Sequence, residues 1–431
     1  MSTVKFEAIV PEAGASKRRS RIGSLLHKLT KPAEEPPYRP LPEYHIRVVD
    51  IKPVTTQHLL EVKLTVVDPR KFKYIALSYT WDQDVAGESD ASHGLVGATQ
   101  PILCGGTEVK ISQNLYDALC QIRNVSSGVP VFVDALCINF DDNHERTNYL
   151  EIMGHIYSRA ASVIVWLGKS ESYTDEVMLI MRKLVNAIDW RRIGDGSSYN
   201  FRDPRFFTMV GIEPLTLKQW REIQAFCHLR WFTRYWAFFE LALAKQALFL
   251  WGEACMEYNF LIDFGMILSL SGWLDELRQD TIDGVEEPIY GLTKMLGPVA
   301  RLRSTPPWHP KHKEHASWMT ENYQLETEQQ HAWKFFEILL QSAEAFDCRD
   351  PRDIAYAPLA LVRHVFGGQP INKQWPRPDY TRPADEVLRT FSNAVQQHTL
   401  QPSILATADE TQQYQAQQPP AHVERGRSQR R

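Results

Sequence analysis

The chain has 431 residues, with 48 Lys and Arg against 52 Asp and Glu, a formal net charge of −4 and 43% hydrophobic residues. This balance excludes a wholly disordered chain, a collagen-like fibre and a long coiled coil. It also gives no basic surface for nucleic acid, and the length predicts two or three packing units. Six cysteines stand far apart without a Cys-x-x-Cys pair, so they read as reduced, buried side chains rather than a disulfide framework or a zinc site. The first thirty residues lack the apolar core of a signal peptide. The apolar stretches Tyr235–Trp251 and Phe260–Leu274 carry Glu240, Lys245 and Asp263 and are short for a membrane span, so a soluble cytoplasmic protein without a transmembrane segment is expected.

In chain order, residues 1–42 read as a disordered tail. Lys17, Arg18, Arg19, Arg21, Lys28 and Lys31 form a basic cluster, and a proline-rich run follows. From Tyr44 to Gly168 short β-rich runs dominate: Tyr44–Ile51, Leu59–Val67, Tyr74–Tyr79, Val129–Val133 and Ser162–Leu167. Two helical patterns lie between the last three runs, one on Leu115, Ala118, Leu119 and Ile122, the other on Tyr149, Met153, Ile156, Tyr157 and Ala160. Strand, helix, strand, helix, strand predicts an α/β fold with a largely parallel sheet flanked by helices. Leu59–Val67 alternates instead, as an antiparallel or edge strand does. Gly105-Gly106 before a short β run predicts a hairpin turn. Beyond Ser172 the patterns are mostly helical: Thr174–Asp189, Leu217–His228, Tyr235–Leu250, Phe260–Leu274 and Trp333–Ala345. Arg303–Glu321 reads as a long loop, and the Gln-, Pro- and Arg-rich end from 401 to 431 as a second disordered tail.

In an open parallel sheet, ligands bind beyond the carboxyl ends of the strands. That rule gathers Ser78, Trp81, Asp134, Cys137 and Asn139 at one edge as candidate ligand-binding residues, with Glu145 joining them from the first turn of the next helix. Asp142 and Glu145 have the spacing of a capping box, so Glu145 has a structural and a functional reading. Asp134 closes an apolar strand, where a charge is costly unless paired; it either orders the loop or contacts a ligand. Cys137 with His144 and His155 invites a nucleophile reading against that of a small buried thiol. Trp81 either stacks on a ligand ring or packs on the sheet edge. His309, His312 and His315 are interrupted by Pro310, so no metal site is expected. No glycine-rich phosphate loop, Gly-x-Ser-x-Gly or His-Glu-x-x-His occurs.

The segments Tyr74–Trp81, Ile111–Leu119 and Val133–Asn139, continuing through Glu145-Arg146, Ile156-Tyr157 and Val165–Gly168, resemble the fungal heterokaryon incompatibility (HET) domain. Arg230–Trp236 with Glu240 is similar to that family's Trp-Phe-x-Arg-x-Trp block, and Cys348–Tyr356 and Pro378–Tyr380 to the blocks that follow it. The resemblance places a HET domain at residues 43–250, with its core at 74–241, and a mostly helical region at 251–400. It implies a fold akin to Toll/interleukin-1 receptor (TIR) or flavodoxin-like domains and a role in allorecognition and programmed cell death through self-association or protein partners. It also implies an alternative, a glycohydrolase that takes NAD as its substrate and for which no cofactor is assigned, with Glu145 and then Asp134 as the candidate catalytic carboxylates and Trp81 as the stacking ring. Where the family pattern has Gln after Asn139, four residues after Glu145 and before Glu240, this chain has Phe140, Tyr149 and Phe239, and Asp82 stands in place of a glycine. Aromatic rings at three amide positions predict an altered polar network, because Phe neither donates nor accepts.

Overall fold

The computed structural model describes residues 38–53, 59–81, 99–125, 128–192, 213–270, 290–304, 327–342, 346–366 and 375–399, with single positions at 205, 207, 208, 211, 323 and 325. The basic cluster before residue 37, Asp82, the three histidines at 309, 312 and 315, most of the Arg303–Glu321 segment, the end of the Phe260–Leu274 stretch and the tail from 401 lie outside the described residues.

Nine strands form one sheet in the order β5-β4-β2-β1-β6-β3-β7-β8-β9. They are β1 (Ile46–Ile51), β2 (Leu60–Val67), β3 (Ile75–Tyr79), β4 (Gln100–Cys104), β5 (Thr107–Ile111), β6 (Val131–Phe132), β7 (Val163–Gly168), β8 (Ala247–Trp251) and β9 (Ala254–Glu257). The expected largely parallel sheet is corrected to a mixed one: four pairings are parallel and four antiparallel. The reason is connection length. Parallel neighbours need a crossover, and helices supply it among β3, β6, β7 and β8. The joins β4–β5 and β8–β9 are two-residue turns, which force antiparallel pairs. In the first, Gly105 and Gly106 adopt φ of 61° and 93°, the left-handed values a primed hairpin turn demands. Taken alone, the parallel strands run β6-β3-β7-β8, so the direction of winding reverses between β3 and β7.

Eleven helices accompany the sheet among the described residues. Those threaded through it are α1 (Gln113–Val125), the single turn α2 (Asp134–Cys137), α3 (Asn143–Arg159), α4 (Thr174–Ala187), α5 (Leu217–Cys227) and α6 (Tyr235–Leu243). Those beyond it are α7 (Tyr258–Leu270), α8 (Tyr290–Ser304), α9 (Glu328–Gln341), α10 (Asp353–Phe366) and α11 (Ala384–Thr399). The buried face of α1 is Leu115, Ala118, Leu119 and Ile122, the set its periodicity predicts. The expected helix Tyr235–Leu250 is corrected: it ends at Leu243, and Ala247–Trp251 forms β8, buried on both faces. An apolar run buried all round has the same composition in helix and strand, so periodicity does not separate the two.

The C-terminal helices are tied to the sheet layer by close contact and by a polar knot. Gly154 of α3 faces α10, where an added Cβ would stand 2.6 Å from the Ala360 carbonyl oxygen. Pro358, inside α10, has no N–H for the carbonyl of Ile354. That oxygen accepts from the Tyr235 hydroxyl at 3.2 Å instead, joining α10 to α6. Asp353 accepts from Trp236 Nε1 at 2.8 Å and from the Tyr380 hydroxyl at 2.7 Å. The Arg146 guanidinium lies 4.1 Å from the Tyr380 ring centre. The blocks that follow residue 241 in sequence thus close onto α3 and α6.

Candidate functional site

The parallel strands bring their carboxyl ends to one edge. Ser78 and Tyr79 end β3, Asp134 follows β6, and Gly168 ends β7. Two groups of ionisable residues sit there, and they behave differently.

The first is a clamp around Glu145. Asp142 caps α3, accepting from the amides of His144 and Glu145. Glu145 does not complete the box by reaching back to the Asp142 amide. Its carboxylate accepts from Arg47 Nη1 at 2.5 Å, from Arg47 Nη2 at 3.2 Å and from the Asn139 amide at 2.7 Å. Arg47 is 2% exposed and also donates to the carbonyls of Cys137 (2.9 Å) and Arg39 (2.6 Å), with Tyr38 stacked 4.9 Å away. One buried guanidinium therefore joins β1, the loop after α2 and the start of α3. A forked Arg–carboxylate pair is strong and geometrically specific, and here it uses both oxygens of Glu145.

The second group is a pair of acids beneath the edge. Glu240 of α6 is 3% exposed. It accepts a short hydrogen bond from Ser78 Oγ, which in turn accepts from Trp231 Nε1 at 2.8 Å. Asp134 accepts from the Ala135 amide at 2.7 Å. Burial, reinforced by the like charge of Glu240, pushes the Asp134 carboxyl up to about 7, against the pull of Arg234. Burial raises Glu240 as well, opposed by Arg234, Ser78 and Tyr157. Arg234 Nη1 donates to the Tyr79 carbonyl at 2.5 Å, so its charge is held between strand and acids. Trp81 Nε1 and the Tyr157 hydroxyl are buried and act on the two acids electrostatically while standing outside hydrogen-bond geometry. Two acids with raised affinity for protons, ringed by hydroxyl and indole donors, can hold and pass a proton near neutral pH.

The remaining candidates fall into place around these groups. Trp81 packs edge-on against Phe140, ring centres 5.5 Å apart. Asn139 turns its side chain to the Asp141 amide. Cys137 is buried, accepts from the Val133 amide at 3.4 Å, and burial drives its thiol far above the ordinary range. Among the described residues no hydrogen bond joins it to His144 or His155, and a nucleophilic cysteine needs the opposite environment. Ser78, Asp134 and Glu240 are brought together; Cys137, Asn139 and Glu145 belong to the clamp. Among the described residues no group of three His, Cys, Asp or Glu could hold a metal, and no helix is long and apolar enough to cross a membrane.

Sequence reasoning missed Arg47, Asn114 and the role of Glu240. The signal for Arg47 was a lone charge in Ile46-Arg47-Val48-Val49, where a cation is affordable only if paired. Asn114 bridges the point where winding reverses: it donates to the Thr80 carbonyl at 2.7 Å and accepts from Trp166 Nε1 at 2.8 Å, linking the end of β3 to β7. Glu240 lies in Phe238-Phe239-Glu240-Leu241, again a charge in an apolar run.

Comparison with known proteins matches the part of the chain that carries these residues. The family model described as heterokaryon incompatibility protein (HET) matches residues 74–240, from the start of β3 to the buried Glu240. Heterokaryon incompatibility protein 6, OR allele, of Neurospora crassa is 31% identical over 146 residues, covering 32% of this chain and 21% of the relative. The match thus spans about a fifth of that relative's length. No solved structure matches the chain. The β3-to-α6 segment that gathers both acids is the segment that matches the family model, and the chain is a protein with a heterokaryon incompatibility (HET) domain at residues 74–240.

Proposed function

We propose that this chain acts in fungal allorecognition, in cytoplasmic signalling that leads to growth arrest or cell death, and that its HET domain works by self-association or by binding a protein partner. The relative's own name, an incompatibility protein, supports the setting. The observation that carries the mechanism is the Glu145 clamp: the carboxylate best placed for hydrolysis has both oxygens bound to Arg47. A carboxylate held this way fixes the loop Cys137–Asn139 and has three of its roughly four acceptor sites engaged by Arg47 and the Asn139 amide. The reversal of winding within the run β6-β3-β7-β8 is a feature a flavodoxin-like or TIR-like core would have, and a likeness of fold would not carry a shared reaction with it.

The half-buried Asp134 beside the buried Glu240 favours one second reading, an NAD glycohydrolase in which Asp134, raised to about 7, serves as the proton-exchanging acid and Trp81 stacks on the nicotinamide. The two readings separate in one experiment on the full chain. Mass by light scattering across a concentration series is measured beside NAD consumption, for the parent, Asp134→Asn and Glu240→Gln. Self-association with no NAD loss in any of the three supports the assembly reading. NAD loss by the parent that both substitutions abolish overturns it in favour of the hydrolase. A chain that stays monomeric and leaves a recipient fungus growing normally when expressed there overturns both.

A further inference from the structure

A cleft of about 590 Å³ opens where the C-terminal ends of α3, α6, α8 and α10 converge. That volume suits a small organic ligand. The floor is apolar, formed by the buried Leu243, Leu302, Phe335 and Leu361. The walls carry Arg159, Lys245, Arg303, His155 and His364, and no carboxylate of the described residues lines the cleft.

Helix ends account for part of this positive charge. Each helix C-terminus carries about half a negative charge, so four ends call for about two cations. Arg303 meets that demand most directly, because its guanidinium donates to the carbonyls of Leu241, Ala244 and Lys245 at the end of α6 and stacks 4.5 Å from Tyr258. The side chains of Arg159 and Lys245 are exposed, and among the described residues neither side chain has a hydrogen bond or an ion pair. The two imidazoles meet edge to face at 6.1 Å, and burial, with Arg159 nearby, holds His155 below its ordinary value, so it enters as a neutral donor or acceptor at neutral pH. The cleft therefore keeps a surplus cation at its mouth above an apolar base.

We infer that this cleft binds a small amphiphilic anion, a phosphate or carboxylate head on Arg159 and Lys245 with a hydrocarbon body on Leu302, Phe335 and Leu361. A nucleotide fits the mouth but not the floor, which offers no hydrogen-bonding group to the edge of a base. The inference is independent of how the HET domain signals. It is tested by calorimetric titration of the full chain with dodecyl phosphate below its micelle-forming concentration, with ATP and with inorganic phosphate. Dodecyl phosphate is expected to fill one site at least about tenfold more tightly than either other probe, and more weakly as salt is raised. Charge reversal of the two exposed cations, Arg159→Glu with Lys245→Glu, is expected to weaken it by about tenfold or more while the melting temperature holds. Val365→Gln, on the half-buried wall, is expected to weaken dodecyl phosphate and leave inorganic phosphate unchanged. The proposal is overturned if no probe binds more tightly than about 1 mM, if ATP or inorganic phosphate binds as well as dodecyl phosphate, or if the charge reversal leaves its affinity unchanged.

Discussion

Glu145→Gln tests the clamp most directly. The substitution keeps the shape and one acceptor oxygen but removes the charge opposite a guanidinium that is 2% exposed. Breaking a buried pair from one side costs about 3–5 kcal/mol, since the partner's charge stays buried and uncompensated. The Glu145 side chain keeps 14% exposure and Gln can still accept from Asn139, so about 3 kcal/mol, the low end of that range, is expected. Arg47→Met with Glu145→Leu removes both charges and is expected to recover most of the loss. What remains is the cost of the buried Cys137 carbonyl left without its donor, about 1 kcal/mol, and a smaller cost for the Arg39 carbonyl and the Asn139 amide, which are exposed and half-buried and can turn to water. Urea unfolding read by tryptophan fluorescence and circular dichroism gives all four corners of the cycle, and the coupling term isolates the pair. A Glu145→Gln chain within about 1 kcal/mol of the parent, or a double variant no more stable than the single, would refute the reasoning. The same proteins carry the functional contrast: if Glu145 were the catalytic acid, activity would vanish in Glu145→Gln and the stable double variant would not restore it.

Three further outcomes follow from the acids and the helix contact. Asp134 is raised to about 7 and Asp353 to about 6, so the folded chain holds protons that the unfolded chain, with carboxyls near 4, has released. Stability should therefore fall as pH rises from about 4 to about 7, and Asp134→Asn should flatten that fall in urea midpoints taken across the range; an unchanged slope would remove the raised value. Ser78→Ala strands both the Trp231 indole N–H and an oxygen of Glu240, and should cost about 1–3 kcal/mol in the same assay. Gly154→Ala drives a methyl to 2.6 Å from the Ala360 oxygen, so α3 and α10 must part; a loss of about 1–3 kcal/mol, visible as a lower melting temperature, is expected.

What could be read from the sequence was local: a short period, or a short apolar run with polar residues on both sides. β2 follows from alternation and the buried face of α1 from 3.6-residue spacing, because one face of each meets the core, whereas β1, β3 and β7 are short β-rich runs buried along most of their length. β8 escaped because Ala247–Trp251 is buried on both faces and is separated from α6 by Ala244-Lys245-Gln246, with no glycine or proline to mark the break. The edge rule found Ser78, Asp134 and Glu145 but not their partners. Arg47 stands 98 residues before Glu145, and Glu240 lies 162 residues after Ser78. No local period encodes such pairs; only the cost of burying a lone charge hints that each must exist.

The three aromatic rings at positions where the family pattern carries amides bear on which reading of the domain holds. Phe239 is fully buried, edge-on to Tyr235 at 5.0 Å. Tyr149 stacks on Phe132 at 6.1 Å and neighbours Tyr157, and Phe140 closes over Trp81. Each ring adds buried area and shape to the layer between β6, α3 and α6, which holds the fold together. Each also removes a side chain that both donates and accepts. Around these rings the Tyr157 hydroxyl and the Trp81 indole N–H are left without hydrogen-bond partners. Proton transfer needs donors and acceptors in a connected chain, so a layer that exchanges amides for rings loses chemistry before it loses structure. The surviving acids then hold the strand edge, Glu240 through the Ser78 hydroxyl and Asp134 through the Ala135 amide, and under the proposed function a fixed edge is what a surface for self-association or a partner requires.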